Sequence, residues 1–182
     1  MIYNFPYKKS GNVQLWINET PRSRVNPESI ICGEKQSNCR SSNYISNLAI
    51  ELKLNMHCSN YGLLGFEFTP HDNNSIIIEV HSDNSTDLYE DTISFYKDTV
   101  YIGLRSEYTH AILEKALECI DNISGLPSGK YVFNIGACCE VGSSIGLFRI
   151  ITEMLMIFMV RNQIDYNAHE VEEILKPLLV FS

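Results

Sequence analysis

The residues of this sequence best suited to bind a charged partner are two cations that flank a short polar stretch, Lys35 and Arg40. The ammonium group of Lys35 and the guanidinium group of Arg40 can pair with phosphate oxygens, and Arg40 can do so through two parallel hydrogen bonds. Gln36 and Ser37 belong to this stretch, and Tyr44 follows shortly after Arg40. These five residues are the candidate RNA- or partner-binding site, and the alternative is an ordinary solvated loop.

Cysteine, histidine and carboxylate side chains are present, but their spacing matches no common metal or catalytic pattern. One group consists of Cys32, Cys39, His57 and Cys58. It lacks the Cys-x-x-Cys pair of common zinc sites, and the adjacent His57 and Cys58 would point in opposite directions on a strand. A second group lacks the ordered spacing of a calcium loop and consists of Asp83, Asp87, Glu90 and Asp91. No catalytic motif and no phosphate-binding loop occurs, so we expect no metal, no cofactor and no enzymatic activity.

The distribution of charge limits the kinds of partner that the chain can bind. The 182 residues carry a formal net charge of -8. Residues 1–40 have six basic and three acidic side chains, whereas residues 41–182 have eight basic and nineteen acidic ones. Contact with a phosphate backbone needs clustered lysine and arginine, so the N-terminal end is the part suited to it. The alternative is a chance fluctuation of small counts.

No segment is predicted to direct export or to cross a membrane. Residues 1–10 lack the apolar core and the small-residue cleavage site of a signal peptide. The longest apolar stretch, residues 145–160, is interrupted by Arg149 and Glu153 and is too short to span a bilayer. We therefore predict a cytoplasmic protein whose six cysteines are reduced thiols.

The first half of the sequence is predicted to consist of strands and loops. Residues 47–56 alternate between aliphatic and polar side chains, which predicts a half-buried strand, and residues 13–17 predict a shorter one. Residues 18–44 are rich in Ser, Asn, Pro and Arg and are predicted to form a long loop or an extended hairpin tip. Further predicted strands cover residues 63–68 and 76–81, and residues 92–104 are predicted to form one strand or two short ones.

The second half changes to a period of 3.6 residues, which predicts helices. A first helix is predicted to begin at an N-cap formed by Ser106. A glycine- and proline-containing turn at 125–129 ends it, and residues 130–138 predict another strand. A mostly apolar helix follows residues 142–144, and Asn167 is predicted to cap a final short helix.

The order of these elements predicts the fold class. Strands come first, followed by helix, strand, helix and helix, which is typical of an α+β fold with helices on one face of a mainly antiparallel sheet. We predict one domain. Its parts are a strand with a long polar loop (1–44), a group of strands (45–104), a helix–strand–helix unit (105–161) and a C-terminal helix (162–182).

Several groups of residues together carry a family resemblance. They are Phe95, Asp98, Glu107, Tyr108 and Ala111, the Gly125-Leu126-Pro127-Ser128-Gly129 turn, the Glu140-Val141-Gly142-Ser143-Ser144 run, and Lys35-Gln36-Ser37 with Arg40. In order and spacing, this set resembles the fourth domain of elongation factor G and its relatives, which include the tetracycline-resistance ribosomal protection proteins. The resemblance covers two separated parts of the chain.

The resemblance implies a fold and a contact. The fold is that of elongation factor G domain four, which is ribosomal protein S5 domain 2-like. In that family the Lys-Gln-Ser loop is one of the tips that reach the decoding site of the ribosome, so the loop at 33–44 is expected to contact the ribosome or ribosomal RNA. The sequence departs from the family at the tip, where Asn38, Cys39 and Ser41 replace glycines. Residues 58–94 fit the family poorly and are interpreted as an insertion.

Two functional hypotheses follow. The first is a non-catalytic, stand-alone relative that binds the ribosome or a translation factor and acts by occupancy through the loop at 33–44. The alternative is an acidic protein–protein interaction module, such as an inhibitor, an immunity-type protein or a dimer, that kept the fold without RNA binding. The altered tip, the acidic body and a methionine-rich second helix favour this alternative.

Overall fold

The computed structural model describes residues 1–7, 11–37, 39, 45–55, 59–94, 99–163 and 165–178. Its strands are β1 (Ile2–Tyr7), β2 (Gly11–Ile17), β3 (Ser29–Gln36), β4 (Asn47–Asn55), β5 (Ser59–Pro70), β6 (Ser75–Ser82), β7 (Val100–Ile102) and β8 (Gly129–Cys139). Its helices are α1 (Ser106–Asn122), α2 (Ile145–Arg161) and α3 (Ala168–Leu178).

Within the described residues, the strands form one sheet in the order β1-β2-β4-β5-β8-β6-β3, and β7 also pairs with β8. Every strand pair is antiparallel except β6 and β8, which run parallel and are connected through β7 and α1. Parallel neighbours need such a crossover, because a tight turn reverses the direction of the chain and can join only antiparallel strands. The predicted α+β class with a mainly antiparallel sheet is therefore confirmed.

The helices pack on one face of the sheet and form the main core. Leu48, Ile50 and Leu52 of β4 are fully buried in the cluster that also contains α2. Each such side chain contributes about 1.5–3 kcal/mol by leaving water. Met154, Met156 and Met159 of α2 are also fully buried. The methionines belong to the core, so they no longer favour a partner-binding helix face.

The opposite face of β4 is buried as well, which corrects the prediction of a half-buried strand. Glu51 and Lys53 are both 0% exposed. Glu51 lies under the segment between β6 and α1, where Thr92 and Ile93 bond its carboxylate. Tyr89 and Val100 of this segment belong to a second apolar cluster on the same face. Alternation within β4 could not reveal this cover, because the covering segment is distant in sequence.

Residues 29–36 form strand β3, so the prediction of a long loop or an extended hairpin tip over residues 18–44 is wrong for these eight residues. β3 pairs along its whole length with β6, from Ser29 opposite Ser82 to Gln36 opposite Ser75. Its sequence contains Gly, Glu and Lys, which are poor strand formers. Pairing with β6 stabilises the strand despite this weak local preference.

Three further predictions concern local structure. Ser106 is not the cap of α1, because Arg105 occupies that position and makes no side-chain capping bond. Asn167 does cap α3: its side chain accepts a hydrogen bond from the Glu170 amide at 3.0 Å, and Glu170 accepts one from the Asn167 amide at 2.8 Å. Residues 59–82 provide β5 and β6, two inner strands of the sheet, and their interpretation as an insertion relative to the family stays a prediction.

Candidate interaction site at the outer edge of β3

β3 is an outer strand, and in the described part of the chain nothing pairs with its far edge. Ile30 is 50% exposed, and Cys32 and Glu34 beside it are exposed too. An uncovered strand edge presents unpaired backbone donors and acceptors to any extended chain. This edge is therefore a candidate interaction site.

The hydrogen bonds at the end of β3 show which residues face outward. Ser37 donates its amide to the carbonyl of Asn74 at 2.9 Å, and these two residues continue the β3–β6 register. Residues along an antiparallel strand alternate between bonding the partner strand and facing away from it. Odd-numbered residues of β3 therefore bond β6, and Ile30, Cys32 and Glu34 direct their amides and carbonyls to the open edge.

The other outer strand, β1, is protected in ways that β3 is not. β1 contains Pro6, which cannot donate an amide hydrogen. Tyr3 of β1 donates its hydroxyl to Asp165 at 2.8 Å, beside α3. In β3, residues 30–33 carry neither charge nor proline, and the Lys35 side chain lies on the helix side of the sheet, where it bonds α1. Natural sheets usually guard an edge with charge or proline, so an unguarded edge points to a binding role.

The helix α1 supports β3 closely from below. A Cβ atom at Gly33 would lie 2.9 Å from Leu117 and 3.2 Å from Leu113. Together with Ile31, these two leucines are partly buried and pack on the main core. We call Ile31, Leu113 and Leu117 the α1 ledge. It lies along the helix side of the β3 edge.

Lys35 anchors β3 to the end of α1 rather than projecting into solvent. Its Nζ donates to the Leu117 carbonyl at 2.9 Å and forms an ion pair with Asp121. Asp121 lies in the last turn of α1, where the helix dipole also favours a cation. The cation predicted to meet phosphate is therefore neutralised within the fold.

Ser37 and Cys39 join the end of β3 to the turn after α1. Ser37 donates its hydroxyl to the Leu126 carbonyl at 3.2 Å. The amide of Ser128 bonds the Cys39 carbonyl at 3.0 Å, and the Ser128 hydroxyl bonds the same carbonyl at 3.2 Å. Two of the segments that carry the family resemblance thus touch. A cavity of about 430 Å³ lies here, lined in part by Gln36, Ile120 and Leu126.

The structure therefore places only some of the predicted site residues near one another. Lys35 and Gln36 lie within β3, and Ser37 directly follows it. Arg40 and Tyr44 lie outside the described residues. The predicted loop at 33–44 is wrong over its first four residues, because these belong to the strand.

The sheet face beside β3 carries a compact charged group. Glu79 accepts from Lys130 at 2.6 Å and from His81 at 2.8 Å, and Cys32 lies 4.0 Å from the same carboxylate. Burial raises the pKa of Glu79, but the hydrogen bonds from Lys130 and His81 outweigh it, so the pKa is lowered. Lys130 and His81 thus stabilise the negative charge of Glu79, whereas Glu34 on the same face is exposed.

Sequence reasoning missed a second polar group, which surrounds Glu51. Its Oε1 accepts from the Tyr61 hydroxyl at 2.7 Å, the Thr92 hydroxyl at 2.7 Å and the Ile93 amide at 3.0 Å. Burial raises the pKa of Glu51, and these three bonds offset part of the shift. The arrangement fixes the segment between β6 and α1 onto the sheet. A glutamate on the polar face of a predicted strand gave no signal of this role.

The described residues contain no group of three or more His, Cys, Asp or Glu side chains able to hold a metal ion. His57 and Cys58, which belong to the cysteine and histidine group that matched no metal pattern, lie outside those residues. Burial raises the pKa of Cys119 to about 12 and also raises that of Cys138. Both thiols therefore stay protonated near neutral pH and are poor nucleophiles.

Comparisons with known proteins give no assignment: no family model, no curated protein and no solved structure matches this chain. The resemblance to elongation factor G domain four stays a prediction. Across the described segments, no helix has the length and apolar character needed to cross a membrane.

Proposed function

We propose that this chain is a non-catalytic protein-interaction module that binds its partner by strand addition at the open edge of β3. The observation that carries the proposal is the open edge at residues 30–33, which has neither charge nor proline, set against a β1 edge that contains Pro6. Each main-chain hydrogen bond to an added strand would contribute about 0.5–1.5 kcal/mol. Support from α1 keeps the edge in place before binding, which lowers the entropy lost on association.

The test removes one outward amide without disturbing the β3–β6 pairing. Cys32→Pro does this, and Cys32→Ala is the matched control that keeps the amide. Wild type and both variants serve as affinity baits in an extract of the source cells, after their thermal unfolding midpoints have been compared. A partner retained by wild type and by Cys32→Ala but lost by Cys32→Pro supports the proposal. Equal retention by all three baits contradicts it.

A purified partner then allows the contact to be located. Amide hydrogen exchange reports each backbone donor, and strand addition slows exchange at outward amides that water otherwise reaches. We expect slowing at Ile30, Cys32 and Glu34 when the partner binds. Slowing confined to another surface would mean that the edge is not the contact.

Ribosome or ribosomal RNA contact is the second candidate function. It is favoured by the hydrogen bonds that join Ser37 and Cys39 to the turn at 125–129, since both segments belong to the resemblance. The ion pair between Lys35 and Asp121 weakens it, because that lysine then has less charge for a phosphate. Co-sedimentation with ribosomes separates the two functions.

A further inference from the structure

An added strand would meet two different surfaces along the two sides of the β3 edge. On the helix side lie Ile31, Gly33 and Lys35, and on the opposite side lie Ile30, Cys32 and Glu34. Side chains of a strand alternate between the two faces of its sheet. Neighbouring strands therefore place like-facing side chains next to each other, and the β3 edge specifies an alternating pattern in its partner.

The helix side favours an aliphatic residue opposite Gly33. Gly33 has no side chain, and the Leu113 and Leu117 side chains of the α1 ledge lie directly below it. A branched apolar side chain on the added strand can cover the glycine backbone and contact the ledge. Packing of this kind over a strand glycine stabilises sheets because it removes exposed backbone from water.

The opposite side favours a basic residue beside Glu34. The Glu34 side chain is exposed and projects from the same face as Glu79, whose charge Lys130 and His81 hold. The whole chain also has a net charge of -8, which favours a basic partner. Opposite charges on facing strands stabilise their pairing, and like charges destabilise it.

Resting on the proposed function, we infer that the partner of the β3 edge is an extended segment of another protein in which aliphatic and basic residues alternate. The aliphatic residues lie on the α1 ledge, and the basic residues lie beside Glu34. A second copy of this chain fits less well, because self-pairing would bring together two chains of net charge -8, and β3 itself carries a single basic residue, Lys35, on its helix side.

Two synthetic peptides of eight residues test the inference. In one, valine alternates with lysine, and in the other, valine alternates with glutamate. Dissociation constants are measured by fluorescence anisotropy for wild type, Cys32→Pro, Cys32→Ala and Glu34→Lys. We expect saturable binding of the lysine peptide to wild type, a change of less than about twofold in Cys32→Ala, and at least about tenfold weaker binding to Cys32→Pro. We also expect Glu34→Lys to reverse the preference between the two peptides by about fivefold.

The outcomes separate the inference from the proposed function. If both peptides bind wild type and Glu34→Lys equally, and binding is still lost in Cys32→Pro, the alternating basic pattern is wrong while strand addition stands. If peptide binding does not change in Cys32→Pro, or if neither peptide binds, strand addition at β3 and the inferred pattern both fail.

Discussion

Glu51 has a structural role that its neighbours in the sequence do not indicate. Its carboxylate is fully buried and holds Tyr61, Thr92 and Ile93, so one side chain fixes both a sheet neighbour and the covering segment. The alternation of β4 predicts a solvent-facing glutamate at this position. Long-range cover, rather than local pattern, decides its environment.

The stability of the protein should depend on the ionisation of Glu51. Burial raises its pKa above the ordinary value of 4.5, so the folded chain binds this proton more tightly than the unfolded chain. The resulting stabilisation is complete below the unfolded pKa and is lost as pH rises through the folded pKa. The Glu51→Gln side chain cannot ionise and so serves as the reference. The free energy of unfolding of wild type, minus that of Glu51→Gln, should therefore fall between about pH 4 and pH 8. The expected fall is about 1.4 kcal/mol for each unit of pKa shift.

Urea unfolding at several pH values measures this difference. Glu90→Gln is the control, because Glu90 lies in the same covering segment and is exposed. That variant should follow wild type across the range. A difference that instead grows with pH would mean that the ionised Glu51 carboxylate stabilises the fold.

The elements of the fold were predictable where local pattern and environment agree. β4 and the buried face of α1 follow directly from periods of two and of 3.6 residues, and both are present. β3 was missed because its strand character depends on β6, whose paired residues lie 39 to 53 positions away in the sequence. The candidate site was consequently assigned to a loop, although Lys35 and Gln36 lie within β3.

Two serines at the starts of helices provide a matched test of capping. Ser144 accepts the Leu147 amide at 3.2 Å as the N-cap of α2, whereas Ser106 is already inside α1 and caps nothing. We expect Ser144→Ala to lower the free energy of unfolding by about 1 kcal/mol and Ser106→Ala to change it by less than about 0.5 kcal/mol. Equal losses would contradict the capping assignment.

The direction of the β3 backbone can be tested without any partner. Ile31→Pro removes an amide that bonds β6, and it should cost about 3 kcal/mol or more in the free energy of unfolding. Cys32→Pro removes an amide that faces solvent, and it should stay within about 1 kcal/mol of Cys32→Ala. The reverse order of stability would show that the alternation derived from the Ser37–Asn74 bond is wrong, and it would move the open amides to the odd-numbered residues.

At the scale of the whole molecule, charge favours the protein-interaction proposal over binding to RNA. The body of the chain is acidic, and Lys35 is paired with Asp121. Binding to RNA gains most of its free energy from cations that release counterions from phosphates. An acidic chain whose candidate lysine is already paired gains little from that source, whereas strand addition needs no net positive charge.

We therefore expect purified protein not to pellet with ribosomes from its source at about 150 mM salt. Co-sedimentation at low and high salt measures this, with Asp121→Asn as the informative variant because it releases Lys35 from its ion pair. If the ribosome is the partner, Asp121→Asn should pellet more strongly than wild type, and Lys35→Glu combined with Arg40→Glu should not pellet. Salt-sensitive pelleting with this order of variants would overturn the protein-interaction proposal. If none of these proteins pellets even at low salt, the segment around Lys35 is not a phosphate contact, and the β3 edge keeps its assignment as a protein-binding surface.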